Sequence, residues 1–188
     1  MRYAVAFAVL VLALAVSTRP LSADQKTSGG VYLTAEDYMN GKLTMAGERG
    51  SGHKLEVHNL TSKPYIHVTQ GTQKREFQKS SIYGFRDYDG RSFRFVGNDV
   101  YEIRDAGRMF IYGAERLVRK GAVEKAYFFS VGATGEVQPL TLINVKKAFP
   151  VNHRFHDSLD AAFKTDSELI QFDSFHKMYK VNRLLMAN

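Results

Sequence analysis

The stretch SIYGFRDYDGRSFRFVGNDVYEIRDAGRMFIYGAERLV, residues 81–118, alternates apolar and charged residues with a period of two. This alternation is typical of β-strands that bury one face. The pairs Asp89-Gly90 and Ala106-Gly107 each stand between two such runs, where glycine supplies the positive backbone angle that tight hairpin turns require. The stretch therefore predicts consecutive antiparallel hairpins.

Period-two alternation extends from His53 to Leu140, and turn residues interrupt it at short intervals. The runs predict an antiparallel β-meander of seven or eight short strands over residues 53–140. In this interpretation the arginines point outward and the aromatic residues inward. The residues expected to point inward include Tyr83, Phe85, Phe93, Phe95, Tyr101, Ile103, Phe110, Tyr127 and Phe129.

After Thr141 the apolar residues follow a helical period, so residues 141–186 are predicted to be helical. Strands followed by helices indicate the α+β class, with the helices closing one face or one open end of the sheet. Three helices are expected, and Pro150 ends the first. Their apolar positions are Leu142, Val145 and Phe149, then Phe155, Leu159 and Phe163, then Leu169, Phe172, Phe175, Tyr179 and Leu185, the third helix running from about Ser167 to Leu185.

The N-terminus places Arg2 before an apolar segment from Ala4 to Val16 and then turns polar, which is the layout of a secretory signal peptide. The apolar segment is shorter than the roughly 20 residues that a membrane-spanning helix needs. We therefore predict a signal peptide over residues 1–23, with cleavage after Ser17 left open as an alternative to Ala23. The mature chain is expected to be exported, without a transmembrane segment.

The mature chain is expected to begin with a flexible lead-in over residues 24–30, followed by one α+β domain over residues 31–188. Residues 31–41 predict a short helix, in which Thr34 is the N-cap and Gly41 a left-handed stop. The glycine-rich segment that follows it, MAGERGSGH, is predicted to be a loop.

The chain contains no cysteine and carries a formal net charge of +7. Disulfides, thiolate nucleophiles and cysteine-ligated metals are therefore excluded. Because small secreted eukaryotic domains usually carry disulfides, this composition favours a bacterial periplasmic or extracellular protein. The basic residues alternate with aromatic and acidic ones and do not form a patch, so no nucleic-acid partner is expected. Neither GSG at residues 50–52 nor GNDVYEIRDAG has the spacing of a Walker loop or a dinucleotide fingerprint, and no cofactor is expected.

The segment NHRFHDSLDAAF, residues 152–163, contains the candidate metal ligands His153, His156 and Asp160. On a helix these three lie within about 60° of one another, and imidazole and carboxylate are ligands that suit zinc. The alternative is a polar helix flank, and Arg154 stands where a zincin motif would need glutamate. The other histidines are His53, His58, His67 and His176, of which His58 and His67 could meet across a sheet.

Three stretches resemble a family of uncharacterised exported proteins of Bacteroidetes-type bacteria. They are GVYLTAEDYMNGKL near the mature N-terminus, SSIYGFRDYDGRSFRF in the middle, and VKKAFPVNHRFHDSLDAAFKTDSELIQFDSFHKMYKVNRLL at the C-terminus. The resemblance implies export and a bacterial source. The family has no assigned activity, so the resemblance transfers no functional residue.

The function expected from these features is non-enzymatic, that of a periplasmic or surface-associated binding or envelope-accessory protein. Two alternatives stay open. Phe- and Tyr-rich strands could close into a small barrel that holds an apolar ligand. A histidine-dependent metal site or hydrolase could instead be built around the candidate ligands in NHRFHDSLDAAF.

Overall fold

A computed structural model of the protein describes residues 28–57, 63–117 and 123–188. The predicted signal peptide 1–23, with Ser17 and Ala23, lies outside the described residues, as do residues 24–27 and His58. The helices are α1 Ala35–Met39, α2 Leu142–Ala148, α3 His153–Ala162 and α4 Lys180–Ala187. The strands are β1 Ser28–Tyr32, β2 Thr44–Glu48, β3 His53–Val57, β4 Tyr65–Gln70, β5 Gln73–Gln78, β6 Gly84–Arg86, β7 Ser92–Val96, β8 Asp99–Ala106, β9 Met109–Leu117, β10 Val123–Val131, β11 Gln138–Pro139, β12 Phe172–Asp173 and β13 Met178–Tyr179.

The main sheet has eight strands in the order β11-β10-β9-β8-β7-β6-β1-β2, and every neighbouring pair is antiparallel. Strands β6 to β11 follow one another along the chain as a meander. The predicted α+β class, a meander followed by C-terminal helices, is confirmed. Within the described residues the end strands β11 and β2 do not pair with each other, so this sheet is open.

The two hairpins predicted from residues 81–118 are present. Gly90 has a φ of 81° in the turn between β6 and β7, as expected. The Ala106-Gly107 turn joins β8 to β9, but Gly107 is not among the glycines with positive φ. Nine described strands, rather than seven or eight, lie between His53 and Pro139, since β6 and β11 are too short to show as alternating runs.

Strands β3, β4 and β5 form a separate antiparallel sheet that covers part of one face of the main sheet. Its apolar side packs on the first strands of the meander and on β1. The buried residues of this first cluster are Val31, Ile66, Val68, Phe77, Ile82, Phe85 and Phe95. Phe93 and Val100 are partly buried against its edge.

The C-terminal helices cover β9 and β10 and form a second cluster with them. Leu142 and Leu184 pack at its edge, and Asn152 caps α3 by accepting the Phe155 N–H at 3.1 Å. The buried residues of this second cluster are Met109, Ile111, Phe129, Leu140, Val145, Phe149, Phe155, Leu159, Phe163, Leu169, Val181 and Leu185.

No helix in residues 28–57, 63–117 and 123–188 has the length and apolar character needed to cross a membrane.

The opposite face of the main sheet is also covered, which for Arg94 corrects the expectation that arginines point to solvent. Tyr38 of α1 and Val137 of the segment after β10 pack on this face, over a third cluster of buried aromatic residues. Arg94 points into it and is 8% exposed. Alternation predicts one buried face, but a sheet covered on both sides can bury an arginine as well as its aromatic residues.

The N-terminal elements differ from the prediction. Residues 28–30 belong to β1 rather than to a flexible lead-in, because their backbone pairs with β2 and β6. The predicted helix 31–41 is shortened to α1, although Thr34 caps it and Gly41 ends it with a φ of 64°. Strand β2 replaces the first part of the predicted MAGERGSGH loop.

The predicted third C-terminal helix is wrong over most of its length. A 3₁₀ turn over Asp166–Ile170, the hairpin β12–β13 and the short helix α4 occupy this region. The Asp173 carboxylate accepts the N–H groups of Phe175 and His176 and thereby closes the hairpin turn. Phe175, assigned to the buried stripe, is 86% exposed.

Candidate functional site

An open groove of about 440 Å³ lies on the face of the main sheet that carries the helices. Its floor belongs to β7, β8, β9 and β10. Tyr127 at one side packs against the helical cluster, whereas Phe93 and Val100 at the other side pack against the cluster beneath the three-stranded sheet. The groove is therefore the part of this face that neither covering layer reaches.

The centre of the floor is one cross-strand row. Phe93 pairs with Glu102, Glu102 with Gly113, and Gly113 with Tyr127. Residues paired in this way point to the same face of a sheet. Gly113 has no side chain, and a Cβ atom there would lie 3.3 Å from Nε of Arg104. Because Gly113 has no side chain, the Arg104 side chain lies over the middle of the row, and the larger residues form its rims.

The groove has balanced charge. Its charged lining residues are Arg91, Asp99, Glu102, Arg104, Glu115 and Lys125. The Arg104 guanidinium lies 2.9 Å from the Glu102 carboxylate. The Asp87 carboxylate lies 2.8 Å from the Arg91 guanidinium, and its negative charge raises the pKa of Arg91. Glu102 contributes to the same rise. Lys125 and Glu115 are cross-strand partners and are both exposed.

This arrangement can bind a ligand through hydrogen bonds and through contacts with aromatic rings. Charged side chains on the floor offer donors and acceptors of both kinds, and Phe93 and Tyr127 offer apolar ring surface. Ligand sites typically combine such ring surfaces with a few converging polar groups. The groove therefore fits a polar, extended ligand with no large net charge.

The structure does not bring the three candidate metal ligands together. His156 Nε2 lies 3.1 Å from the Lys146 carbonyl oxygen and 3.0 Å from that of Phe149, so this nitrogen donates to the end of α2. Asp160 accepts from the Lys146 ammonium at 2.5 Å. The His153 and His156 rings meet edge to face at 5.9 Å. Within the described residues, no three His, Cys, Asp or Glu side chains are grouped to hold a metal ion.

The other described histidines also have protein partners. His53 is buried, with Nδ1 2.8 Å from the Tyr88 hydroxyl and Nε2 2.8 Å from the Met45 carbonyl oxygen. His67 Nε2 lies 3.2 Å from a Glu76 carboxylate oxygen. His176 Nδ1 lies 2.9 Å from an Asp173 oxygen. The predicted meeting of His58 with His67 cannot be described, because His58 lies outside the described residues.

The groove residues were not recognised from sequence as ligand residues. Phe93 and Tyr127 were expected to point inward and are partly buried. Their pairing with Glu102 and Gly113 depends on strand register, which no local motif in the sequence specifies. The row takes its side chains from four strands, between Phe93 and Tyr127. Only the tertiary structure brings these residues side by side.

Comparison with known proteins returned no family model, no curated protein and no solved structure that matches this chain. The resemblance to exported proteins of Bacteroidetes-type bacteria therefore stays a prediction.

Proposed function

We propose that this chain is an exported, non-enzymatic binding protein of the bacterial envelope, and that the groove over Gly113 holds a neutral, polar ligand of the oligosaccharide class. The observation that carries the proposal is the composition of the groove. Its charged residues balance, and Phe93 and Tyr127 lie at opposite ends of one cross-strand row. A ligand that lies along this row meets ring surface at both ends and hydrogen-bonding groups between them.

The oligosaccharide class follows from the chemistry of the row. A sugar ring has apolar C–H faces that pack on aromatic rings and equatorial hydroxyl groups that both donate and accept. Glu102 and Arg104 already neutralise each other at 2.9 Å, so an ionic ligand gains little there. Ionised side chains nevertheless make stronger hydrogen bonds to hydroxyl groups than neutral ones do.

The apolar-ligand barrel has less support. The main sheet is open between β11 and β2 in the described part of the chain, and its two faces are packed with helices, with a second sheet and with aromatic residues. The groove that remains is lined by six charged side chains. An apolar ligand would have to desolvate these charges without pairing them, which is unfavourable.

Isothermal titration calorimetry of the mature protein tests the proposal. Cellohexaose, maltohexaose and chitohexaose are the neutral probes, and oleate tests the barrel alternative. We expect at least one oligosaccharide to bind and oleate not to bind. Binding of oleate alone would support the barrel, and binding of none of the four probes would contradict the oligosaccharide class.

A pair of variants locates the binding site. Gly113→Val fills the floor of the groove with a residue that strands favour, so it should fold and weaken oligosaccharide binding at least tenfold. Gln73→Val introduces the same side chain on an exposed position of β5 and should leave the affinity unchanged. Equal affinities for the two variants would place the ligand elsewhere.

Export is tested separately by expressing the full chain in a Gram-negative host. Mass spectrometry of the periplasmic fraction should find a mature N-terminus after Ala23 or after Ser17. A protein that stays in the cytoplasm with Met1 or Arg2 at its N-terminus would contradict the predicted signal peptide.

A further inference from the structure

The buried cluster around Arg94 lies on the opposite face of the main sheet from the groove. Nη1 of Arg94 donates to the Tyr112 hydroxyl at 3.0 Å and to Ser130 Oγ at 3.3 Å. Nη2 donates to the Gly135 carbonyl oxygen at 2.9 Å. All of these acceptors are electrically neutral, so the hydrogen bonds orient the guanidinium without cancelling its charge.

In the described part of the chain, no carboxylate forms an ion pair with Arg94. Within residues 28–57, 63–117 and 123–188, none of the ion pairs includes it, although only 8% of its surface is exposed. Arginine stays protonated at every pH at which proteins fold. Buried charges are normally paired, because removing an ion from water is costly unless an opposite charge replaces the solvent. The cluster therefore lacks a negative charge.

Tyr83 supplies a second, independent sign of a missing acceptor. Its side chain packs against Arg94, whose guanidinium carbon is 5.7 Å from the ring centroid. Its hydroxyl is buried with the Tyr112 hydroxyl as a polar neighbour, and no group in the described part of the chain has hydrogen-bonding geometry to it. Burial raises the pKa of Tyr83 well above its usual value, and nearby Tyr112 adds to the rise, so the hydroxyl stays neutral and keeps its proton to donate.

The unused groups of the cluster are donors. A guanidinium has five N–H groups, and the hydrogen bonds to Tyr112, Ser130 and Gly135 engage three of them. The Tyr83 hydroxyl adds one more donor. An anion site needs a positive charge and several hydrogen-bond donors that point to one place. Arg94 and Tyr83 together provide both. The cluster is buried among aromatic residues, which include Tyr101 and Phe128, and an anion of one atom needs less space there than a polyatomic one.

We propose that a chloride ion binds between the Arg94 guanidinium and the Tyr83 hydroxyl. The ion supplies the negative charge that the described residues of the cluster lack, and it accepts a hydrogen bond from the Tyr83 hydroxyl. Because Gly135 is held by the same guanidinium, the bound ion also fixes the segment between β10 and β11 that covers this face. The site is separate from the groove and does not depend on the proposed function.

Thermal unfolding at constant ionic strength tests the proposal. Sodium gluconate is replaced stepwise by sodium chloride, so that only the small anion changes. An ion that binds only the folded state raises Tm with its concentration, and we expect a saturable rise of about 2–4 °C for the wild type. Arg94→Met should abolish the rise. Arg104→Met, which removes an arginine from the other face of the same sheet, should retain it.

Two further measurements apply if Arg94→Met does not fold. Tyr83→Phe removes one hydroxyl group and should shift the half-saturating chloride concentration at least threefold upward. Wild-type crystals grown with sodium bromide should show an anomalous peak within hydrogen-bonding distance of Arg94 and of the Tyr83 hydroxyl. A water molecule without anomalous signal at that position, peaks at surface positions that mark an adventitious ion only, or equal Tm in chloride and gluconate would each overturn the proposal.

Discussion

Gly84 lies where β6 and β7 approach each other too closely for a side chain. A Cβ atom at this position of β6 would lie 1.8 Å from the carbonyl oxygen of Phe93 in β7. The backbone itself would have to move, so we expect Gly84→Ala to lower the free energy of unfolding by at least ~3 kcal/mol. Urea denaturation measures this change.

Gly107→Ala is the matched control for Gly84→Ala. A Cβ atom at Gly107 meets nothing closer than Asn182 Nδ2 at 3.5 Å, which is an ordinary contact. We expect a change within ~1 kcal/mol. Similar losses for both glycines would mean that the close approach of β6 and β7 does not decide the effect.

The histidines of α3 have different structural roles. His156 donates to two carbonyl groups at the end of α2, whereas His153 is exposed. We expect His156→Ala to cost about 1 kcal/mol of unfolding free energy, because the imidazole no longer donates to these two carbonyl oxygens, which keep only the backbone N–H groups of Phe149 and Asn152. His153→Ala should change it by less than ~0.5 kcal/mol. Thermal denaturation compares the two variants.

Zinc provides the complementary test of the same histidines. Adding zinc should leave the Tm of the wild type unchanged, because His156 and Asp160 are engaged with Lys146 and Phe149. A rise in Tm that either histidine variant removes would support the metal site predicted at His153, His156 and Asp160.

At the scale of elements, the hairpin β12–β13 is held by Asp173. Hydrogen bonds from the backbone and side chain of His176 lower the pKa of the Asp173 carboxyl group below its usual value. The positive charge of Arg183 lowers this pKa further. A carboxyl group with a lowered pKa stabilises the folded state above its unfolded pKa and loses that contribution as the pH falls. The contribution is therefore present at pH 5 and lost below about pH 4.

We expect Asp173→Asn to make Tm less dependent on pH. The wild type should lose more Tm between pH 5 and pH 2.5 than the variant does, since the variant has no charge to lose at this position. Asp157→Asn, an exposed change on α3, should keep the pH dependence of the wild type. Identical pH profiles for the wild type and Asp173→Asn would contradict the role of Asp173.

The elements also differ in how far the sequence predicts them. Helices α2 and α3 are found where the spacing of apolar residues places them, because each stripe faces the same sheet. The third helix fails because Phe172 and Phe175 match helical spacing by chance. The Asp173 side chain bonds to the backbone two and three residues ahead, and this local competition breaks the helix.

At the scale of the whole molecule, Asn182 joins the helical layer to the main sheet. Its side-chain Nδ2 donates to an Asp105 carboxylate oxygen at 3.0 Å and to the Met109 carbonyl oxygen at 2.7 Å. Asn182 itself is only 3% exposed. We expect Asn182→Ala to cost about 2–3 kcal/mol of unfolding free energy, because both acceptors lose a buried donor.

Urea denaturation measures the effect of Asn182→Ala, and Asn188→Ala is the control. Asn188 also donates through Nδ2, to Ser158 and Leu184, but it does so at the exposed end of α4. Its replacement should cost less than ~0.5 kcal/mol. If the two replacements cost the same, the bond between helix and sheet does not contribute to stability.

The sequence by itself determined the α+β class, the hairpins between residues 81 and 118, and the helices α2 and α3, since each of these follows from local periodicity, turns and caps. Only the tertiary structure decided which layers cover the sheet and which rows of side chains meet. Both faces of the sheet are covered, so Arg94 is buried, while the uncovered strip between the two layers forms the groove over Gly113. Burial and convergence depend on long-range packing and strand register, and no short window of sequence contains them.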